Sequence, residues 1–180
     1  MHLRRIFPFA LLSLALVLLS ACSTKPPPGV TPVQSFDIER YAGQWHEIAR
    51  LDHRFERGLS QVTADYQLND DGTVKVTNRG YDAKKDQWSE AVGKGRFAGD
   101  RHIGSLEVSF FGPFYGGYHV VALDDDYQWA MVIGNNHHFM WILARDSVLD
   151  DAVLETLLLQ ASEIGVDIDN LIWVEQASTQ

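Results

Sequence analysis

From Gln44 to Leu143 the chain breaks into short stretches in which apolar and polar positions alternate. Val62, Ala64, Tyr66 and Leu68 fall on one face of an extended segment, with Thr63, Asp65 and Gln67 on the other. A period of two is the mark of a half-buried β-strand. The same reading predicts strands over Gln44–Arg50, Ser60–Leu68, Thr73–Tyr81, Gln87–Phe97, Gly104–Phe111, Tyr118–Leu123, Trp129–Gly134 and Phe139–Ala144. Turn-forming clusters separate them, among them Asn69-Asp70-Asp71-Gly72, Ala98-Gly99-Asp100 and Asp124-Asp125-Asp126. Eight strands joined by short turns predict an antiparallel sandwich or barrel.

The period then changes. Val153, Leu154, Leu157, Leu158, Ala161 and Ile164 repeat at helical spacing, with Ser147 or Asp150 as the cap and Gly165 as the stop. A last short strand, Leu171–Val174, follows. The expected architecture is therefore all-β: an eight-stranded barrel, one C-terminal helix packed on its outer wall, and a closing strand.

The amino terminus follows a third pattern. Arg4 and Arg5 precede a run from Ile6 to Leu19 that only Pro8 and Ser13 interrupt. A basic start and an apolar stretch ending in small residues describe a cleaved secretion signal over residues 1–21. The run is shorter than the about 20 residues that span a bilayer. Leu19-Ser20-Ala21-Cys22 resembles the lipobox of bacterial lipoproteins. That resemblance implies cleavage before Cys22 and acylation of both its sulfur and its new amino group. Ser23 after the Cys, where Asp resembles an inner-membrane retention signal, points to the outer membrane, facing the periplasm. The competing reading is an ordinary signal with an incidental Cys. Against it, Cys22 is the only Cys and has no partner within the chain for a disulfide. Ser23-Thr24-Lys25-Pro26-Pro27-Pro28-Gly29 favours extended polyproline II, so residues 22–34 read as a tether without a tendency to pack. Residues 35–180 are then the folded domain, large enough to bury a core.

Charge narrows the partners. The chain carries 15 basic and 24 acidic residues, net -9, and the signal segment takes two of the arginines with it. An acidic chain repels nucleic acid and anionic lipid surfaces. Nucleic-acid binding is not expected, and recognition of a lipid is expected inside a cavity rather than along a bilayer.

Gly43-Gln44-Trp45 at the start of the first strand, with Arg145 just after the eighth, resembles the signature of the lipocalins. In that family the Arg covers the Trp at the closed end of the barrel, a cation–π contact. Longer strings are similar to the family's bacterial outer-membrane lipoproteins: Arg40-Tyr41, Glu47-Ile48-Ala49-Arg50, Asp52-His53-Arg54-Phe55-Glu56-Arg57-Gly58-Leu59, and Val108 through Tyr118. Trp141-Ile142-Leu143 and Ile172-Trp173-Val174 extend the likeness. The resemblance implies an eight-stranded antiparallel up-and-down β-barrel that holds one small ligand, a lysophospholipid or fatty acid. It allows a homodimer without requiring one.

Alternation assigns the lumen. Val62, Ala64, Tyr66 and Leu68 are expected to face inward, with Val74, Val76, Leu106, Val108 and Phe110. Phe139 and Trp141 are chosen as inward by their parity with Arg145. The segment Phe111–Tyr118 is expected to be a pliable aromatic loop at the mouth, with Tyr115 and Tyr118 hydrogen-bonding a head group. His53, Arg54 and Arg57 lie in the first long loop, to attract a phosphate or simply to be solvated. The residues alone also fit a barrel filled by its own side chains. No cofactor or metal is expected: His137-His138 and His46-Glu47 are adjacent, so on a strand they point apart. No catalytic residue is assigned, and the lone Cys22 cannot serve as a barrel nucleophile. An enzyme using Glu47 or His119 as acid or base, and a ligand-free scaffold, are the alternatives.

Overall fold

The computed structural model describes residues 23–177. The signal segment 1–21, Cys22 and residues 178–180 lie outside the described residues. The strands are β1 (Gly43–Leu51), β2 (Leu59–Leu68), β3 (Val74–Asp82), β4 (Gln87–Phe97), β5 (Ser105–Phe111), β6 (Phe114–Leu123), β7 (Trp129–Ile133) and β8 (Met140–Ala144). They pair in sequence order from β2 to β8, β8 pairs with β1, and β1 returns to β2. The result is the closed, antiparallel, up-and-down barrel that the lipocalin resemblance implies, and one of the two architectures that the alternation allows. A short strand β9 (Leu171–Trp173) adds to β1 beside the mouth half of the wall. The connections β1–β2, β3–β4, β5–β6 and β7–β8 gather at one end. Those of β2–β3, β4–β5 and β6–β7 gather at the other.

A one-turn helix α1 (Ile38–Tyr41), which the sequence pattern did not signal, leads into β1. Asp37 caps it by accepting from the backbone N–H of Glu39 at 2.9 Å. The longer helix α2 (Asp151–Glu163) is capped by Asp150, whose Oδ1 accepts from Ala152 N at 2.9 Å. Gly165, at φ +90°, ends it in a conformation that suits glycine.

Two apolar cores lie on opposite sides of one wall. Inside, Trp45, Val74, Val76, Leu106, Val120, Val132 and Leu143 face one another. Outside, Met131, Ile133, Met140 and Ile142 meet Leu157 and Ala161 of α2. This explains why β7 and β8 are apolar on both faces: one faces the lumen and the other faces the helix.

Two expectations change. Phe111–Tyr118 is not a loop: Phe111 pairs with Phe114 across a turn of Gly112 and Pro113, and β6 runs straight through Gly116 and Gly117. Nor does the Pro-rich segment stand free. Thr24 donates to Glu107, Val30 is buried against the outer core, and Val33 N donates to Val120 O at 2.8 Å. The two changes share a cause. A Cβ on Gly117 would lie 2.6 Å from Thr24 O, so the glycine makes room for the incoming chain.

Candidate ligand-binding site

The end bearing β2–β3, β4–β5 and β6–β7 is sealed. Trp45 is fully buried, and its Nε1 donates to Tyr41 O at 2.8 Å. The Arg145 guanidinium lies 3.9 Å over the indole. It also donates to the carbonyls of Arg40, Tyr41, Ala42 and Gln44, while its Nε donates to Tyr127 O. Gly43 adopts φ +92°, and a Cβ there would meet Arg145 Nη1 at 3.5 Å. Gly43, Trp45 and Arg145 thus converge at this end.

Above this seal three tyrosines form a floor. The Tyr118 hydroxyl stands 2.6 Å from that of Tyr41 and 2.7 Å from that of Tyr66. Burial, first of all, pushes each of the three hydroxyls to a higher pKa, so they stay protonated and serve one another as donors and acceptors. Tyr118 therefore belongs to the floor, not to the mouth where the loop reading put it.

The walls are apolar. Ala64, Tyr66 and Val76 are buried on the inner face, and Val108, Phe110 and Trp141 pack against the same inner cluster while keeping part of their surface free. Phe139 precedes β8 and stacks on Trp141, ring centroids 6.2 Å apart, at the mouth. Tyr115 goes elsewhere. It carries the parity of Gly117 and His119, on the outer wall, with the Arg96 guanidinium 4.1 Å over its ring. Arg96 is held there by Glu107 at 2.7 Å.

The largest surprise is charge inside the barrel. Glu47 pairs across to Leu143, and Arg50 to Trp141, with a bulge at Ile48 between them. The extra residue restores parity, so two side chains three positions apart both point inward. Arg50 donates through Nη1 to Glu47 Oε1 at 2.6 Å and through Nη2 to Glu56 O at 2.8 Å. The β1–β2 connection folds over them. His53 Nε2 stands 3.0 Å from Glu56 Oε2, an ion-pair distance without hydrogen-bond alignment. Trp141 Nε1 donates to the same oxygen at 3.2 Å, and Asn78 Nδ2 to Glu56 Oε1 at 3.3 Å. All four charged or titratable members, Glu47, Arg50, His53 and Glu56, are buried. Arg50 Nε, His53 Nδ1 and Asn78 Oδ1 have no partner among the described residues.

Neighbouring carboxylates disfavour each other's ionisation. Burial above all, and then the charge of Glu56, lift the Glu47 carboxyl well above the usual range. Glu56 is also pushed up by burial, but His53, Trp141 and Arg50 outweigh this and hold it below its ordinary value. Of the two, Glu47 is the one that keeps its proton more readily and Glu56 the one that holds charge. Of the three loop residues expected to attract a phosphate, His53 alone turns inward. Arg54 stacks outside on Phe55 at 5.3 Å, and Arg57 pairs with Asp52 at 2.6 Å. His119 is buried in the outer wall, its Nδ1 2.9 Å from Ser105 Oγ, so it and Glu47 lie on opposite faces of the barrel.

Comparison with known proteins agrees with this geometry. Residues 36–176 match the model of the lipocalin-like domain family. The chain is 48% identical to "Outer membrane lipoprotein Blc" of Citrobacter freundii, over 96% of this chain and 98% of the relative. It is 46% identical to the protein of the same name from Vibrio cholerae, over 92% and 96%. Among solved structures, insecticyanin from the tobacco hornworm superposes with a TM-score of 0.68 at 23% identity, covering 86% of this chain and 88% of that one, a likeness of fold.

Proposed function

Since this chain belongs to the lipocalin family, we propose that it binds a single-chain amphiphile, a lysophospholipid or fatty acid, in its barrel. It stores or carries that lipid in the cell envelope without acting on it as an enzyme. Cys22, acylated, holds it at the outer membrane, a reading supported by the lipobox resemblance and by relatives named as outer membrane lipoproteins.

The observation that carries the binding reading is the division of the lumen. Val76, Val108 and Phe110 present apolar side chains to the lumen above the floor of Tyr41, Tyr66 and Tyr118. Under the mouth, Arg50 Nε, His53 Nδ1 and Asn78 Oδ1 offer polar valences that no neighbour among the described residues uses. An acyl chain suits the first region, and the polar end of the same molecule suits the second. A core filled only for stability gains nothing from a buried ion cluster, because removing two charges from water opposes folding.

Native mass spectrometry of the protein extracted gently from its membrane tests this. The expected spectrum shows one bound lipid per chain, and uptake of added lysophospholipid by stripped protein. Protein that carries no lipid and takes up none would overturn the reading.

A further inference from the structure

Lipid carriage leaves open how the barrel is oriented toward the bilayer. The described chain begins at Ser23, one residue after Cys22. Thr24 is fastened to Glu107 on β5, and its carbonyl lies over Gly117 of β6, next to Asn135 of the β7–β8 connection. From Phe36, whose N–H donates to His102 O at the sealed end, residues 36 to 24 run along the outer wall toward the mouth. The chain that leads to Cys22 therefore departs from the mouth end.

The same end is apolar at its tip. Phe111 and Phe114, paired across the β5–β6 turn, are 70% and 72% exposed, and Phe55 on the β1–β2 connection is 57% exposed. Aromatic rings favour the interface of a bilayer, and a second point of contact strengthens an acyl anchor. Charge is divided to match. On the connections at the mouth Arg57 is matched by Asp52 and Lys85 by Asp82, and Arg54 and Lys84 are offset by Glu56 and Asp86, so this end carries no net charge. The acidic turns Asp70-Asp71 and Asp124-Asp125-Asp126 lie at the sealed end. Although the whole chain is acidic, the end that carries the aromatic tip is not. A mouth without net charge meets an anionic lipid surface without the repulsion that holds the acidic end away.

Resting on the anchored-lipocalin reading above, we propose that the barrel docks mouth-down. The β5–β6 tip, Phe111 and Phe114, enters the interface of the membrane to which Cys22 is tied, so that lipid passes between bilayer and lumen without crossing water. This revises the expectation drawn from net charge alone. The lumen opens onto the bilayer, and the acidic end points away from it.

The test uses the full acylated chain in vesicles of phosphatidylethanolamine and phosphatidylglycerol. Acylation blocks Cys22, so Pro113→Cys and Asp125→Cys each supply one free thiol for a fluorescent label. Lipids bearing a nitroxide on the upper acyl chain then quench whichever label touches the interface. Quenching at 113 is expected to exceed that at 125 by about threefold or more, and to fall to the level of 125 when Phe111→Ser and Phe114→Ser are added. Equal quenching at both positions, stronger quenching at 125, or quenching at 113 that survives both serines would overturn the orientation. A mass for Cys22 without acyl groups would instead overturn the anchor reading on which it rests.

Discussion

At the residue scale, Arg145 and the Glu47–Glu56 pair show how single side chains hold opposite ends of the lumen. Arg145 satisfies five carbonyl oxygens at once and covers Trp45. Arg145→Ala leaves those acceptors partly desolvated without a donor, at a cost of about 2–4 kcal/mol, read as a drop in urea midpoint without a change in slope. The acids behave in opposite ways. The folded state binds the Glu47 proton more tightly than the unfolded chain does. Stability from that proton is complete below the unfolded value of about 4.3 and is lost as pH climbs through the folded value. Glu47→Gln keeps an acceptor for Arg50 and needs no proton, so it should gain on the wild type as pH rises above the unfolded value. Glu56 is held below its ordinary value, so its contribution is complete at neutral pH and fades as pH falls through the folded value. Glu56→Gln should cost about 1–3 kcal/mol at pH 7, with the gap to wild type closing in acid. Urea midpoints from about pH 3 to pH 8 check both, and parallel profiles for the two variants would show that the raised carboxyl is not that of Glu47.

At the element scale, α2 and the barrel wall are separable. Leu157 and Ala161 fill the outer core against Met131 and Ile142, and neither touches the lumen. Leu157→Ala should therefore cost about 2–5 kcal/mol of stability, yet leave the affinity for a fluorescent fatty acid unchanged under native conditions. A parallel loss of affinity would show that the helix shapes the cavity through the wall. The strands and α2 were legible in the sequence because alternation and helical spacing register which face is buried, and burial is what placed them. The Trp45–Arg145 seal was legible because it rests on motif residues. The Glu47–Arg50–Glu56 cluster was not legible. Regular alternation sends residues 47 and 50 to opposite faces, and only the bulge at Ile48, a departure from the pattern, brings them together. Tyr115 and Tyr118 were misplaced for a related reason. Gly116 and Gly117 read as loop punctuation, but the strand continues and Gly117 gives clearance to Thr24. Composition likewise describes Pro26-Pro27-Pro28 as a spacer, and says nothing of Val30, which finds a place in the outer core.

At the scale of the whole molecule, the barrel depends on its last residues to close beside the charged cluster. β1 pairs with β2 only over Gly43–His46, and its mouth half, Ala49–Leu51, turns instead to β9. The first residues of β2 are left without β1, and the segment after β9 fills the gap. Gln61 N donates to Glu175 O at 2.7 Å, and the Gln176 amide donates to Glu47 O at 2.7 Å and to Val62 O at 3.1 Å. One side chain thereby bridges both sides of the seam, directly beside the buried acid. The sealed end owes nothing to this segment, since Arg145, Trp45 and Tyr41 lie at the other end of β1. Ending the chain before Leu171 should then leave a barrel that is folded at the floor and loose at the mouth. Amide exchange is the measurement: Ile48–Leu51 and Leu59–Val62 should exchange about tenfold faster or more, while β4 to β6 keep their protection. Water admitted through the seam should also let the Glu47 carboxyl fall back toward its ordinary range, so that the pH profile of the truncated chain loses the rise in favour of Glu47→Gln. Uniformly faster exchange over all strands would mean that the seam supports the whole barrel. Unchanged exchange at Ile48–Leu51 would mean that the mouth half of β1 stands without β9.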